Sequence, residues 1–189
     1  MLPLLLSALL LWMMMPQALS DAVLDTDGQT LKAWTTYYVL PGVHGQGGGG
    51  LTLRTRNGKC LMYVAQDESN TSSGTQAFFR PVNSTGSAII KVSMDVKIAF
   101  LGEHKCKNST VGDLDYLDGP MGNMYMRAGL VDVWFKIEKD GDYYKLQSCL
   151  SDSSKGWAVA CGNVGVLVED GKRWLAWSYE ALPVVFKKV

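Results

Sequence analysis

Apolar and polar residues alternate along much of the chain with a period of two. The pattern is clearest in Leu51-Thr52-Leu53-Arg54 and Phe135-Lys136-Ile137-Glu138. In an extended chain such residues point by turns into a core and into water. On this basis strands are predicted over 37–40, 51–55, 61–65, 88–92, 96–100, 133–138, 143–147, 164–168, 173–177 and 184–187. Between them stand Asp27-Gly28, Asn57-Gly58, Asp118-Gly119, Asp140-Gly141 and Asp170-Gly171, pairs suited to tight reversals because glycine accepts positive φ. No window sustains a 3.6-residue period for three turns, so an all-β barrel or sandwich with little or no helix follows. Tyr37-Tyr38-Val39-Leu40 returns as Tyr143-Tyr144-Lys145-Leu146, and half that interval lands on Ile90. Such spacing would divide the chain after residue 20 into three, as a three-fold barrel demands.

The first 20 residues stand apart. They carry no ionisable side chain, and Leu2 to Met15 are almost wholly apolar. This reads as a secretory signal, with Ala18-Leu19-Ser20 offering small residues before a cut. A signal anchor is the alternative, but Pro16 and Gln17 end the apolar run short of the roughly 20 residues that a spanning helix needs. Residues 21–189 would then form one exported domain, secreted to the extracellular space or carried to a vacuole, with no membrane association. Export makes the four cysteines candidates for two disulfides, with three connectivities open. There is no C-x-x-C, which removes zinc-ribbon and thioredoxin-type spacings. Sequons at Asn70, Asn83 and Asn108 suit a glycosylated surface.

Charge and composition narrow the function classes. With 18 Lys+Arg against 18 Asp+Glu the net charge is zero, so the bulk electrostatics of a nucleic-acid binder are missing. Charged residues at 19% and hydrophobic residues at 47% exclude a disordered chain. Gly45-Gln46-Gly47-Gly48-Gly49-Gly50 literally satisfies G-x-G-x-x-G, but a strand pattern follows it where a dinucleotide site needs a helix. His44 and His104 sit in loop-like sequence. No H-E-x-x-H, no G-x-S-x-G and no locally spaced carboxylate pair is present. An enzyme, a cofactor and a metal site are not expected, and Lys187-Lys188 reads as a solvated tail.

Val23-Leu24-Asp25-Thr26-Asp27-Gly28-Gln29-Thr30-Leu31, followed after five residues by Tyr37-Tyr38-Val39, resembles the N-terminal signature of the plant Kunitz-type family, which includes soybean trypsin inhibitor and miraculin. Val92-Ser93-Met94-Asp95-Val96-Lys97-Ile98-Ala99-Phe100 is similar to a later strand of that family. Trp134 to Glu138, Tyr144-Lys145-Leu146, Cys149 and Cys161-Gly162-Asn163-Val164-Gly165 resemble its third repeat. The resemblance spans residues 21–189 and implies a β-trefoil, a three-fold pseudosymmetric six-stranded barrel closed by hairpins. It also implies bridges Cys60–Cys106 and Cys149–Cys161. Within that frame, Asp25, Asp27 and Gly28 are read as turn chemistry. Tyr37, Trp134, Phe135, Trp174 and Trp177 are read as core or barrel-base packing.

The family implies a substrate-like loop that blocks an endopeptidase of the serine or cysteine class. The corresponding stretch holds Arg80, Pro81, Val82, Asn83, Ser84, Thr85 and Gly86, and the wider loop covers residues 80–88. Aligning proline with proline against the family's Ser-Pro-Tyr-Arg-Ile puts Asn83 and Ser84 on either side of the candidate scissile bond; counting from the first cysteine shifts this by one, to Ser84. Three departures argue against trypsin as the target. Neither Asn83 nor Ser84 offers a cation to trypsin's acidic pocket, and Arg80 is followed by Pro81, which lacks an N–H and has a fixed φ. Asn83 opens a sequon, and a glycan there would bar entry to a narrow pocket. The family's inhibitors usually carry Asn where this chain has Ala33, whose methyl group cannot hold loop carbonyls. Two other readings remain: a non-inhibitory miraculin-like seed, defence or storage protein, and a carbohydrate-binding trefoil. The second lacks the Gln-x-Trp triplets of ricin-like lectins. A monomer is expected.

Overall fold

The computed structural model describes residues 22–43, 47–56, 62–82, 88–101, 113–118, 123–129, 133–152 and 157–189. Among these residues the regular structure is entirely β. The strands are β1 (Thr36–Pro41), β2 (Leu51–Thr55), β3 (Met62–Gln66), β4 (Ala77–Pro81), β5 (Val96–Phe100), β6 (Asp113–Asp118), β7 (Met124–Gly129), β8 (Val133–Asp140), β9 (Tyr143–Asp152), β10 (Trp157–Glu169), β11 (Lys172–Trp177) and β12 (Val184–Lys188).

Their pairing shows the three-fold plan. β1 pairs with β4, β4 with β5, β5 with β8, β8 with β9, β9 with β12, and β12 returns to β1, every pair antiparallel. Six strands thus close a barrel and leave no edge among themselves. The other six form three hairpins, β2–β3, β6–β7 and β10–β11. One strand of each hairpin meets the other two: β3 with β7, β7 with β11, and β11 with β3. This triangle closes one end of the barrel, and the fold is a β-trefoil.

Alternation along the barrel strands supplies the core. Tyr37, Val39, Phe79, Val96, Ile98, Phe135, Ile137, Leu146 and Phe186 are all buried in one cluster, joined by Val23 and Leu31 from the N-terminal segment. That segment is tied down by two barrel tyrosines. The Tyr37 hydroxyl accepts the Lys32 N–H at 2.9 Å, and the Tyr144 hydroxyl accepts the Leu24 N–H at 2.9 Å. Asp25 makes the expected turn: its carboxylate accepts the N–H groups of Asp27 and Gln29 at 3.0 and 2.8 Å. Of the aromatic residues expected to pack inward, Tyr37, Phe135 and Trp174 are fully buried, whereas Trp134 and Trp177 are half-buried.

Several expectations are corrected. Residues 88–92 do not form a ladder strand: Ile89 and Lys91 make isolated bridges to Lys32 and Ala22, Ile90 is buried in the core, and Val92 packs against it half-buried. The middle repeat therefore starts its barrel strand at Val96 rather than near Ile90, because the connections between repeats differ in length. Strands β4, β6 and β7 were not foreseen. Pro81 ends β4, half of the residues of β6 are Asp, and Met, Ala and Gly populate β7, all poor strand signals whose pairing partners decide the matter. Lys187 and Lys188 are not a tail; they pair with Tyr38 and Tyr37 in β12, with exposed side chains.

The glycine run also has a structural account. Gly49 and Gly50 donate to the carbonyls of Asp67 and Ser72 at 2.7 and 2.8 Å. A Cβ at Gly50 would stand 2.1 Å from the Ser73 carbonyl oxygen, and one at Gly49 would stand 2.2 Å from that of Ser69. These glycines let two backbones cross, so the G-x-G-x-x-G spacing serves packing here. The Cys149–Cys161 bridge is formed, between directly paired residues of β9 and β10 with an S–S distance of 2.03 Å. Cys60, Cys106, His44, His104, Asn108 and the Asn57-Gly58 turn lie outside the described residues.

Candidate inhibitory loop and its support

The connection between β4 and β5 leaves the barrel at the end opposite the hairpin triangle, because β4 runs away from the β2–β3 hairpin. Arg80 and Pro81, expected within the loop, close β4 instead, opposite Lys97 and Val96. The Arg80–Pro81 bond is thus held in a sheet ladder. Val82 follows β4, and its N–H donates to the Asp95 carbonyl at 2.9 Å. Asn83, Ser84, Thr85 and Gly86 lie outside the described residues.

The chain re-enters on a pinned leg. The Ala88 carbonyl accepts the Ala33 N–H at 2.7 Å, and the Ile90 N–H donates to the Leu31 carbonyl at 2.8 Å while its own carbonyl accepts from Val23 at 3.0 Å. Ala33 is buried against this leg, so the residue singled out as the family's loop support does lie at the loop's stem, and it holds the stem through its backbone. Beyond the leg, the Lys136 ammonium pairs with the Asp95 carboxylate at 2.6 Å and donates to the Ser93 carbonyl at 3.1 Å. The Ser93 hydroxyl in turn donates to Glu138 at 2.7 Å. Both ends of the loop are therefore fixed, one by the β4–β5 ladder and one by the N-terminal segment and β8.

Trp34 was not anticipated. It sits beside the stem, its N–H donating to the Phe79 carbonyl at 3.1 Å, yet its side chain is 68% exposed. Phe78 and Arg80 share the outer face of β4, since Phe79 between them is buried. The Trp34 ring lies across both: it stacks on Phe78 with centroids 5.8 Å apart, and the Arg80 guanidinium carbon stands 5.8 Å from its centroid. The residue has φ of +64°, a region that bulky side chains rarely adopt. The sequence signal was an aromatic residue inside the polar run Lys32 to Thr36, and periodicity gave it no role.

A second cluster of chemistry-bearing side chains lies at the barrel's other end. Tyr63 of β3, Tyr125 of β7 and Trp174 of β11 bring one ring from each hairpin to a common centre. The Arg56 guanidinium fills it, its carbon 5.8, 4.0 and 6.0 Å from the three centroids. Glu169 accepts from Arg56 Nε at 3.2 Å, from Arg56 Nη2, and from the Tyr125 hydroxyl at 3.3 Å. Burial acts to lower the Arg56 pKa, but the hydrogen bond and charge of Glu169, with the facing Tyr125, outweigh it and hold it above its ordinary value. Burial raises the Tyr125 pKa, with Glu169 adding to the rise and Arg56 opposing it. The cage is filled by the chain's own cation, so it fastens the hairpins together.

A six-stranded barrel capped by three hairpins defines a β-trefoil. The chain belongs to the legume Kunitz family, described as trypsin and protease inhibitor, whose pattern matches residues 23–188. The family is one of inhibitors rather than enzymes. Among its relatives, "Kunitz type trypsin inhibitor 104" of Medicago truncatula is 31% identical, the match covering 94% of this chain and 92% of that protein. A "21 kDa seed protein" of Theobroma cacao is 35% identical over 90% of this chain and 83% of its own length. The solved rice bifunctional alpha-amylase/subtilisin inhibitor superposes with a TM-score of 0.74 at 33% identity, covering 89% of this chain and 99% of that one.

Proposed function

We propose that this protein is a secreted Kunitz-type inhibitor that blocks an endopeptidase of the serine or cysteine class with the loop leaving β4, and that trypsin is not its preferred target. The observation that carries the reading is the clamped stem: Val82 bonded to Asp95 on one side, and Ala88 bonded to Ala33 on the other. A loop anchored at both ends loses little conformational freedom on binding, which is how a short segment can reach high affinity. Asn83 and Ser84 flank the candidate scissile bond, and an uncharged Asn83 has nothing to pair with the carboxylate of a trypsin-like pocket. The remaining cysteines, Cys60 and Cys106, form the second bridge, which non-reducing peptide mapping would detect as a joined fragment. Asn70 is exposed in its turn, and that exposure suits a glycan. The protein acts as a monomer.

A panel of trypsin, chymotrypsin, subtilisin and papain, assayed with deglycosylated protein, tests the reading. Submicromolar inhibition of a member other than trypsin is expected, and inhibition of none would reject it. A non-inhibitory seed or defence role is the second reading. It is favoured by the sequon at Asn83 and by the likeness to the cacao seed protein. Full-length protein that inhibits nothing even after Asn83→Gln would support it.

A further inference from the structure

We infer that Trp34, seated on Phe78 and Arg80, is a specificity-determining contact through which this protein grips an apolar patch on the rim of its target endopeptidase's cleft. The inference rests on the inhibitory reading above and extends it to a second point of contact.

A stable protein–protein interface needs on the order of 800 Å² from each partner, supplied by roughly 20–30 residues a side. The stretch from Val82 to Ala88 is too short to supply that alone, so surface beside the stem must also meet the enzyme. Among the described residues on that side of the molecule, Trp34 is the most exposed large apolar side chain, and it is continuous with the stem. Its N–H is bonded to Phe79, its neighbour Ala33 is bonded to Ala88, and Phe78 lies only four residues before Val82. A partner that engages the loop would meet this ring.

Tryptophan and arginine are the residue types most enriched at the energetic centres of interfaces, because a large flat ring held in place buries much area with little entropy loss. Trp34 is held: Phe78 stacks on it at an interplanar angle of 27°, and the Arg80 cation stands over it. The ring needs no reordering to serve as an anchor.

The backbone at Trp34 is strained. At φ of +64° glycine would be comfortable and tryptophan is not. The ring does not relieve this strain by filling the core, since it is exposed. Strain kept at an exposed side chain points to a use outside the fold.

The test compares Trp34→Gly and Trp34→Phe with the wild-type full chain, measuring inhibition of trypsin, chymotrypsin, subtilisin and papain together with thermal unfolding. For the most tightly inhibited enzyme, Trp34→Gly is expected to raise Ki at least tenfold, mainly through faster dissociation. Its melting temperature should stay within about 4 °C of wild type, since relieved strain offsets lost stacking. Trp34→Phe, which keeps a ring, should stay within about threefold of wild type. Unchanged Ki in Trp34→Gly, with the wild type inhibiting, would overturn this inference and leave the loop reading intact. A large drop in melting temperature with unchanged Ki would assign the residue to the fold. Wild-type protein that inhibits none of the four enzymes overturns both readings, and that control is read first.

Discussion

The two ends of the barrel each carry an arginine over an aromatic ring, and they put that pairing to opposite uses. At the hairpin end, Arg56 is 7% exposed, enclosed by Tyr63, Tyr125 and Trp174 and tied to Glu169. One residue there touches all three repeats, so it couples the three hairpins into one closed base. At the loop end, Arg80 faces the ring of Trp34, which remains 68% exposed. A cation enclosed by rings and paired with a carboxylate stabilises the fold, because the guanidinium is shielded from water while the half-exposed Glu169 meets its charge. A cation against one exposed ring contributes far less, yet it holds that ring in a fixed position where another molecule can reach it. The contrast teaches that the pairing alone does not decide the role; the number of elements it joins, and the water it excludes, do so.

The sharpest break of this comparison is Arg56→Ala. It leaves three rings around a void and Glu169 without its partner, and should destabilise the protein by about 3 kcal/mol. A chain of this size should then melt roughly 6–12 °C lower, as calorimetry would show. Protease inhibition below the new transition should be unchanged.

A change at the other end should act on function with little effect on stability. Asn83→Arg together with Ala33→Asn should create trypsin inhibition. The guanidinium supplies a charge-assisted contact of about 1.5–3 kcal/mol, roughly 10- to 150-fold in affinity. The amide introduced by Ala33→Asn adds support at a stem where the Ala33 backbone already holds Ala88. Titration of trypsin with both single variants and the double variant should show a gain from Asn83→Arg that grows when Ala33→Asn is present.

Arg80→Ala is the direct counterpart of Arg56→Ala. The pairing with the exposed Trp34 ring is worth about 0.5–1 kcal/mol, so urea unfolding should report a smaller loss than in Arg56→Ala. Equal losses at the two sites would break the comparison.

The smallest expected effect is a pH dependence. The pKa of Tyr125 is raised in the folded protein, so the folded state holds the proton more tightly than the unfolded chain does. Its contribution to stability is full below the ordinary phenol pKa of about 10 and is lost as pH rises through the raised value. Unfolding free energy followed from pH 8 upward should fall less steeply in Tyr125→Phe than in wild type.

Much of the fold was legible in the sequence because the barrel strands alternate. Tyr37-Val39, Val96-Ile98 and Phe135-Ile137 declare which side chains face inward, and Asp140-Gly141 and Asp170-Gly171 declare where β8 and β10 turn back. Such signals are local: a period of two needs only neighbouring residues, and a reversal needs only a residue free to take positive φ. The Kunitz resemblance, carried by short motifs spread over residues 21–189, supplied the trefoil and the Cys149–Cys161 pairing now seen between β9 and β10. The strands β4, β6 and β7 were not legible, since their residues favour strand weakly and are recruited by the ladders that flank them. Neither was the division of labour between Arg56 and Arg80. Each is a basic residue near a strand end, and nothing within a few positions separates them. Tyr63, Tyr125 and Trp174 come from hairpins far apart along the chain and meet only because β3, β7 and β11 pair around one axis. The exposure of Trp34 likewise depends on Phe78 and Arg80, which are distant from it in sequence but lie beneath it in space. Alternation and turn chemistry are written residue by residue; whether a ring encloses a cation or presents itself to a partner depends on which distant strands the closed barrel brings together.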